Sequence, residues 1–242
     1  MQKDILMLTG WGATCKVWEP IIPALSNGCQ INCLTPTWLS DSQIKSSLSD
    51  IEGYIERLGA MINAPVNIVA WSMGGLIAIK LATRFPALVR SISFIASVPK
   101  FVSADNQNTG IDFQWFNMFV DQYQSSPAET LKKFLTLQVK NDSMARDCLR
   151  VLKNACEVGD YDMIECGYGL NLLQQLDLSK QLQSLECKTL FVHGENDAVV
   201  NLQSAQYAAS LSGAPLEVIS GAGHAPHISR PSEVARFINN HL

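Results

Sequence analysis

No run of about 18 apolar residues, the length a bilayer-spanning helix needs, occurs in this chain of 242 residues. That excludes a helical membrane protein. Charge is sparse, and 18 Lys and Arg stand against 22 Asp and Glu. Without a basic excess, nothing supports electrostatic binding of nucleic acid. The seven cysteines include no C-x-x-C pair, which argues against the usual redox and zinc patterns. Cys29 and Cys33 have no nearby His to complete a metal site, so no metal is expected. Cys15, Cys29, Cys33, Cys148, Cys156, Cys166 and Cys187 are expected as free thiols, mostly buried as small hydrophobes. The first residues carry one Lys and one Asp before a short apolar run that ends at Thr9-Gly10. This describes a buried strand rather than a signal peptide, and the expected location is the cytoplasm. Internal repeats and low-complexity segments are also lacking.

What is present is an alternation. Apolar β-type runs at Asp4–Thr9, Cys29–Leu34, Val66–Ala70 and Ser91–Ala96 are separated by helix-type runs at Val17–Leu25, Ser42–Ile62 and Met73–Arg84. Such alternation predicts a mostly parallel, doubly wound α/β sheet covered on both faces. From 101 to 182 the β-type runs stop and helical periodicity takes over. Three to four helices fit, at about 110–124, 127–140, 143–157 and 161–176, with Gly167 and Gly169 weakening the last. Ser126-Pro127-Ala128-Glu129 has the pattern of a capping box with proline at the first helical position. Alternation resumes with strands Lys188–His193 and Leu216–Ser220 and helices Gln203–Leu211 and Pro231–Asn240. The expected organisation is a core of 1–100 and 183–242 interrupted by an all-helical lid at 101–182.

The chemistry centres on Ala70-Trp71-Ser72-Met73-Gly74-Gly75, between a strand and a helix. A serine there reads as a nucleophile elbow, with its hydroxyl pushed clear of the sheet. A serine hydroxyl is a weak nucleophile at neutral pH and needs a base. His224, in the loop Gly221-Ala222-Gly223-His224-Ala225-Pro226-His227, is the candidate. Asp197, in His193-Gly194-Glu195-Asn196-Asp197, is placed to hold the imidazole Nδ1 proton. The chain order Ser, Asp, His and the position of all three after strand ends agree with nucleophilic hydrolysis. The backbone N–H groups of Met73 and Trp11 are the expected oxyanion donors, Trp11 lying in Leu8-Thr9-Gly10-Trp11-Gly12. His227 and His193 are rival bases, as pocket-lining and strand-end residues respectively, and Glu195 is a rival acid that comes early in its loop.

These residues resemble the α/β-hydrolases, and among them the pimeloyl-[acyl-carrier protein] methyl ester esterases of biotin synthesis. The resemblance runs through Thr9-Gly10-Trp11-Gly12, Trp71-Ser72-Met73-Gly74-Gly75, Lys133-Phe134-Leu135-Thr136-Leu137-Gln138 and Gly223-His224-Ala225-Pro226-His227-Ile228-Ser229, nearly the whole chain. It implies a carboxylesterase that releases methanol from a carrier-bound ester, with Ser72, Asp197 and His224 as catalytic residues and no cofactor. It implies a substrate site at Trp11, Ser72, Met73, His224 and the run Phe134, Leu135, Thr136, Leu137 and Gln138. General small-ester or C–C bond hydrolysis, and a non-catalytic binding role, are the alternatives.

Ala70 stands where the resembled pattern has a glycine, and Thr9 where it has a histidine. The N-terminal antiparallel hairpin common in that fold is missing, which leaves about six strands. The implied partner is an acyl-carrier protein, which is acidic and so calls for a locally basic surface. Residues 126–156 hold six basic and three acidic residues, and Arg146, Arg150 and Lys153 form one stripe at helical spacing, with Leu149, Leu152 and Cys156 facing inward. Lys133, Arg146 and Arg150 match the family's carrier-facing positions. Phe113, Trp115, Phe116, Phe119, Phe134 and Leu137 offer an apolar roof, about half of it expected to line the pocket. The expected state is a monomer.

Overall fold

The computed structural model of the chain describes residues 4–25, 29–34, 49–103, 109–156 and 160–242. Six strands form one sheet: β1 (Ile5–Leu8), β2 (Ile31–Leu34), β3 (Val66–Trp71), β4 (Val89–Ile95), β7 (Lys188–Gly194) and β8 (Leu216–Ile219). Their spatial order is β2-β1-β3-β4-β7-β8, and every neighbouring pair is parallel. Successive side chains of a strand point to opposite faces, and the core divides accordingly. Leu6, Leu8, Ile68, Ala70, Phe94 and Phe191 enter one buried cluster. Ile5, Met7, Val69, Trp71, Ile95 and Val192 enter the other. Both faces are therefore covered, as a parallel sheet requires.

Helices α1 (Ser49–Met61) and α2 (Gly74–Arg84) follow β2 and β3. They are tied at the surface by Lys80–Glu52 and by Arg84 Nε on Glu56 Oε1 at 2.6 Å. The part of the expected helix at 42–48 lies outside the described residues. The expected helix over Val17–Leu25 does not form. Two single 3-10 turns, Cys15–Trp18 and Ile22–Ala24, stand there instead. Pro20 and Pro23 lack the N–H a continuous helix would use and clash with the preceding turn.

Between β4 and β7 the chain is mainly helical: α3 (Phe113–Ser125), α4 (Pro127–Gln138), α5 (Ala145–Ala155), α6 (Asp160–Gln175) and α7 (Ser179–Gln183). A two-residue parallel pair, β5 (Val102–Ser103) with β6 (Ile111–Asp112), interrupts the expected strand-free stretch. Two residues are too few to show an alternating pattern. The expected capping box is also absent. Ser126 is the N-cap of α4, but its side chain makes no capping bond, and its carbonyl accepts both Thr130 N–H and Thr130 Oγ1–H. Glu129 pairs with Lys133 at 3.0 Å instead. Helix α6 runs through both glycines without breaking. A Cβ at 169 would lie 2.8 Å from Trp11 Cδ1, so glycine there lets the helix close onto that indole.

The remaining elements are α8 (Leu202–Ser212), capped by the Asn201 side chain, α9 (Pro226–Ser229) and α10 (Pro231–His241). Contrary to the expected seven free thiols, Cys15 and Cys33 form a disulfide with Cα atoms 5.8 Å apart. Pairing of β1 with β2 brings these distant positions together. Cys148 and Cys156 follow the expectation, and burial pushes each thiol up to about 12.

The close contact that fixes α2 against the sheet is testable. A Cβ at Gly74 would stand 2.5 Å from the Leu8 carbonyl oxygen, a backbone atom that cannot swing away. Gly74→Ala should cost about 1–3 kcal/mol and lower the thermal midpoint by roughly 3–10 °C. An unchanged midpoint would show that the helix can retreat from β1.

Candidate active site

Ser72 sits at the junction of β3 and α2 with φ of +53°, a left-handed conformation that costs a non-glycine residue energy. The turn is held from three sides. Ser72 N–H donates to Ile95 O at 2.9 Å, and Ser72 O accepts from Gly75 N–H at 3.0 Å and from Ser97 Oγ at 2.7 Å. The strained turn aims Oγ at the loop after β8, where His224 Nε2 lies 3.0 Å away. His224 Nδ1 lies 2.8 Å from Asp197 Oδ2. The carboxylate can only accept there, so Nδ1 carries the hydrogen and Nε2 is free to take the serine proton.

Asp197 is anchored through its other oxygen. Oδ1 accepts the Val199 and Val200 N–H groups at 2.8 and 2.9 Å. Burial pulls this carboxyl upward, but His224, His193 and the Val200 amide outweigh it and hold the group below its usual range. Its partner His224 is fully buried. Glu195, the rival acid, points elsewhere: its Oε2 accepts from Ser220 Oγ and Gly221 N–H. His193 is buried against Asp197 and cannot reach Ser72 as a base, because its Nε2 lies 3.3 Å from Asp197 Oδ2 and 2.8 Å from Val200 O. The other rival, His227, is fully buried between Trp18 and Trp71, with ring centroids 4.7 and 4.9 Å away. Neither of its ring nitrogens has a partner among the described residues.

The loop bearing His224 is clamped by the corner between α4 and α5. His224 N–H donates to Gln138 O at 2.9 Å, and Gly223 N–H donates to Asp142 Oδ2 at 2.7 Å. Ser143 N–H donates to Gly221 O at 2.9 Å. Trp71 Nε1–H reaches His224 O at 2.8 Å from the strand side. Sequence reasoning missed Asp142 and Ser97. Neither carries a local pattern, since the residues they serve lie 81 and 25 positions away. Trp71 was singled out only for preceding the serine.

Trp11 and Met73 flank Ser72. Among the described residues, neither backbone N–H has a backbone acceptor. The loop carrying Trp11 is braced by Thr9 Oγ1, which donates to Ala13 O at 3.0 Å, and by Trp11 Nε1, which donates to Cys166 O on α6 at 2.7 Å. Beside Ser72 a cleft of about 30 Å³ is lined by Trp11, Trp115, Phe119, Phe134 and Leu173 among others. Trp11 meets Phe134 edge-on at 5.1 Å, and Trp115 stacks on Phe119 at 5.7 Å.

The expected substrate run 134–138 does not face one way. Phe134 lines the cleft, but Leu135 is buried in the core cluster on the other side of the sheet. Thr136 and Leu137 line an outer groove, and Gln138 contributes its carbonyl to His224. A helix turns 100° per residue, so five consecutive positions cannot share one channel. Of the expected aromatic roof, Trp115, Phe116, Phe119 and Phe134 reach the cleft. Phe113 is 44% exposed.

The outer groove lies between α4 and α5. It measures about 590 Å³ and is lined by Lys133, Leu137, Lys140, Arg146 and Leu149 among others. Arg150 lies one turn further along α5, exposed and paired with Asp147 at 3.3 Å. Helix α5 packs through Cys148, Leu152 and Ala155, with Leu149 and Cys156 half-buried. No helix among the described residues is long and apolar enough to cross a membrane. None of their His, Cys, Asp and Glu side chains form a group that could hold a metal ion.

Comparison with known proteins agrees with this geometry. The sequence profile of the Alpha/beta hydrolase family matches residues 5–237. A pimeloyl-[acyl-carrier protein] methyl ester esterase of Aromatoleum aromaticum is 28% identical over 250 residues, covering 99% of this chain and 98% of the relative. A biotin biosynthesis bifunctional protein of Teredinibacter turnerae is 30% identical over 253 residues. This chain spans 44% of that protein's length. Among solved structures, a bromoperoxidase from Bacillus anthracis superposes with a TM-score of 0.81 at 16% identity, covering 98% of this chain and 91% of that one. At such identity the likeness speaks for the fold alone.

Two outcomes follow from the packing around His224. Removing the Asp142 carboxylate leaves Gly223 N–H unpaired in a buried place, a loss worth about 1–3 kcal/mol. Asp142→Ala should therefore lower kcat on a soluble ester about 10- to 100-fold while the protein stays folded. An unchanged kcat would show that the bonds to Gln138, Ser143 and Trp71 hold the loop without Asp142. His227 supplies a pH dependence. Burial, followed by the charge of His224, pushes its imidazole down from 6.5 to about 3. Below about pH 6.5 the unfolded chain takes up a proton that the folded chain refuses, so stability falls as pH drops from there toward 3. Between pH 6.5 and 5 this amounts to about 2 kcal/mol. His227→Phe should lose less of its thermal midpoint than the wild type over that interval, and equal losses would refute the assignment.

Proposed function

The chain belongs to the alpha/beta hydrolase family, and from that premise we propose that it is a serine carboxylesterase acting on the methyl ester of pimeloyl-[acyl-carrier protein] in biotin synthesis. The observation that carries the reading is the unbroken chain from Ser72 Oγ to His224 at 3.0 Å and from His224 to Asp197 at 2.8 Å. The names of the relatives support the substrate.

Ser72 Oγ attacks the ester carbonyl while His224 Nε2 takes its proton, and Asp197 stabilises the imidazolium. The oxyanion forms between the Trp11 and Met73 N–H groups. His224 protonates the departing methanol, and water then hydrolyses the acyl-enzyme by the same relay in reverse. The ω-carboxylate is left free and the acyl chain stays on its carrier. The relay calls on no metal or organic cofactor, since imidazole moves the proton and backbone amides take the charge.

Residues 101–182 act as a lid over the core of 1–100 and 183–242. A cleft of about 30 Å³ holds little more than one water, so the aromatic side chains must part to admit an acyl chain. The acidic carrier docks on the basic face of the lid, with Lys133, Arg146 and Arg150 as its contacts. The enzyme works as a monomer in the cytoplasm.

Ser72→Ala should abolish labelling by a fluorophosphonate and hydrolysis of the carrier-bound ester while leaving the fold intact, and residual hydrolysis would refute the nucleophile. Complementation of a biotin-requiring strain that lacks its pimeloyl ester esterase tests the pathway, with the Ser72→Ala variant as control. Cleavage of p-nitrophenyl esters without any action on the carrier-bound methyl ester would point to a general small-ester hydrolase. Replacing Arg146 and Arg150 by Glu should raise KM for the carrier-bound ester about tenfold and leave a small ester unaffected. Equal effects on both substrates would count against docking there.

A further inference from the structure

We propose that His193 positions the Asp197 carboxylate for His224, holding Val200 through its Nε2–H and standing beside the same oxygen that receives the His224 proton. This role rests on the esterase reading above, and it gives a function to a histidine that the relay does not itself use.

The tautomer follows from the acceptors. Nε2 of His193 lies 2.8 Å from Val200 O and 3.3 Å from Asp197 Oδ2. A carbonyl only accepts, so Nε2 carries the hydrogen and donates it to Val200 O, with Asp197 Oδ2 standing beside that N–H. The ring is 1% exposed, and burial pushes its proton affinity down against the pull of Asp197. His193 is therefore neutral near pH 7. His224 also faces this cluster, and its charge opposes a proton on His193. His227 on α9 faces His224 and is kept neutral by burial.

The arrangement does two things at once. The ring N–H fixes Val200 through its carbonyl, and the Val200 N–H ties Oδ1 of the carboxylate, while His224 holds Oδ2. Asp197 thus cannot rotate without breaking contacts on both oxygens. Three donors bind the carboxylate, two on Oδ1 and one on Oδ2, and the His193 N–H stands 3.3 Å from Oδ2. That polar N–H draws off part of the negative charge on Oδ2. Position 193 lies in β7, four residues before the acid, so the strand itself sets the distance.

The test is the pH dependence of kcat/KM on p-nitrophenyl acetate between about pH 5 and 9, for the wild type, His193→Phe and His193→Gln. In His193→Phe, kcat should fall about tenfold at unchanged KM. The acidic limb should move to higher pH by about half a unit or more, because loss of the neighbouring N–H leaves more negative charge on Asp197 Oδ2. His193→Gln, whose amide can donate to Val200 O, should return the limb toward its wild-type position. A His193→Phe limb that coincides with that of an active wild type overturns this role and leaves the esterase reading standing. A wild type with no esterase activity overturns both. Nitrogen-15 NMR of histidine-labelled wild type needs no variant. It should show position 193 as the neutral Nε2–H tautomer, and an Nδ1–H tautomer or a charged ring there overturns the proposal.

Discussion

In the proposed relay a fully buried imidazole must become positive, and the rest of the site depends on that constraint. His224 has no exposed surface, so solvent cannot stabilise the charge it takes up with the serine proton. Moving such a charge out of water is costly unless a counter-charge is already in place. Asp197 is that counter-charge, and it too is buried. Its ionised state rests on the Val199 and Val200 amides and on the two histidines at its Oδ2. The fold's task is therefore to keep one carboxylate held by donors at the end of β7 and to hold an imidazole against it.

That task explains why the helices between β4 and β7 do more than cover the cleft. The loop bearing His224 contains two glycines and has little rigidity of its own. It receives its geometry from the α4–α5 corner, through Gln138 O, Asp142 and Ser143, and from Trp71 beneath. The same corner carries Lys140 and Arg146 into the outer groove. The surface we assign to the carrier and the loop holding the base are thus built from one short stretch of chain. On the opposite side, Trp11 is pinned to α6 by Cys166 O, so the helical segment also fixes one expected oxyanion donor.

Much of this was legible in the sequence, for local reasons. The six strands announce themselves because each is a short apolar run between breakers, and their parallel order follows from the helices that separate them. Ser72, Asp197 and His224 are legible because each lies just beyond a strand end. What was not legible depends on distant partners or on competition between local signals. The apolar run at Val17–Leu25 looks helical until Pro20 and Pro23 are weighed against it. The Ser126 capping pattern fails because the Ser126 N–H already donates to Gln122 O at 2.9 Å and Glu129 turns to Lys133. Cys15 and Cys33 meet only because β1 lies beside β2. A resemblance in the run 134–138 suggested a single lining, whereas helical rotation sends its members to the cleft, the core and the outer groove.

The aromatic cleft and the histidine relay impose opposite demands. The relay needs exclusion of water, since electrostatic stabilisation of the oxyanion and imidazolium strengthens as the local dielectric falls. Substrate entry needs space, and the closed cleft offers almost none. Aromatic rings in edge-on contact reconcile the two, because each contact beyond area burial is worth only about 0.5–1.5 kcal/mol. Trp11 meets Phe119 and Phe134 in this way at 5.7 and 5.1 Å, and the two phenyl rings lie tilted to each other at 5.8 Å. An acyl chain that replaces those contacts with its own methylenes recovers about 0.8 kcal/mol for each one buried. On the proposed reading an apolar chain can take the place of those ring contacts, whereas a charged group entering the same space would recover nothing.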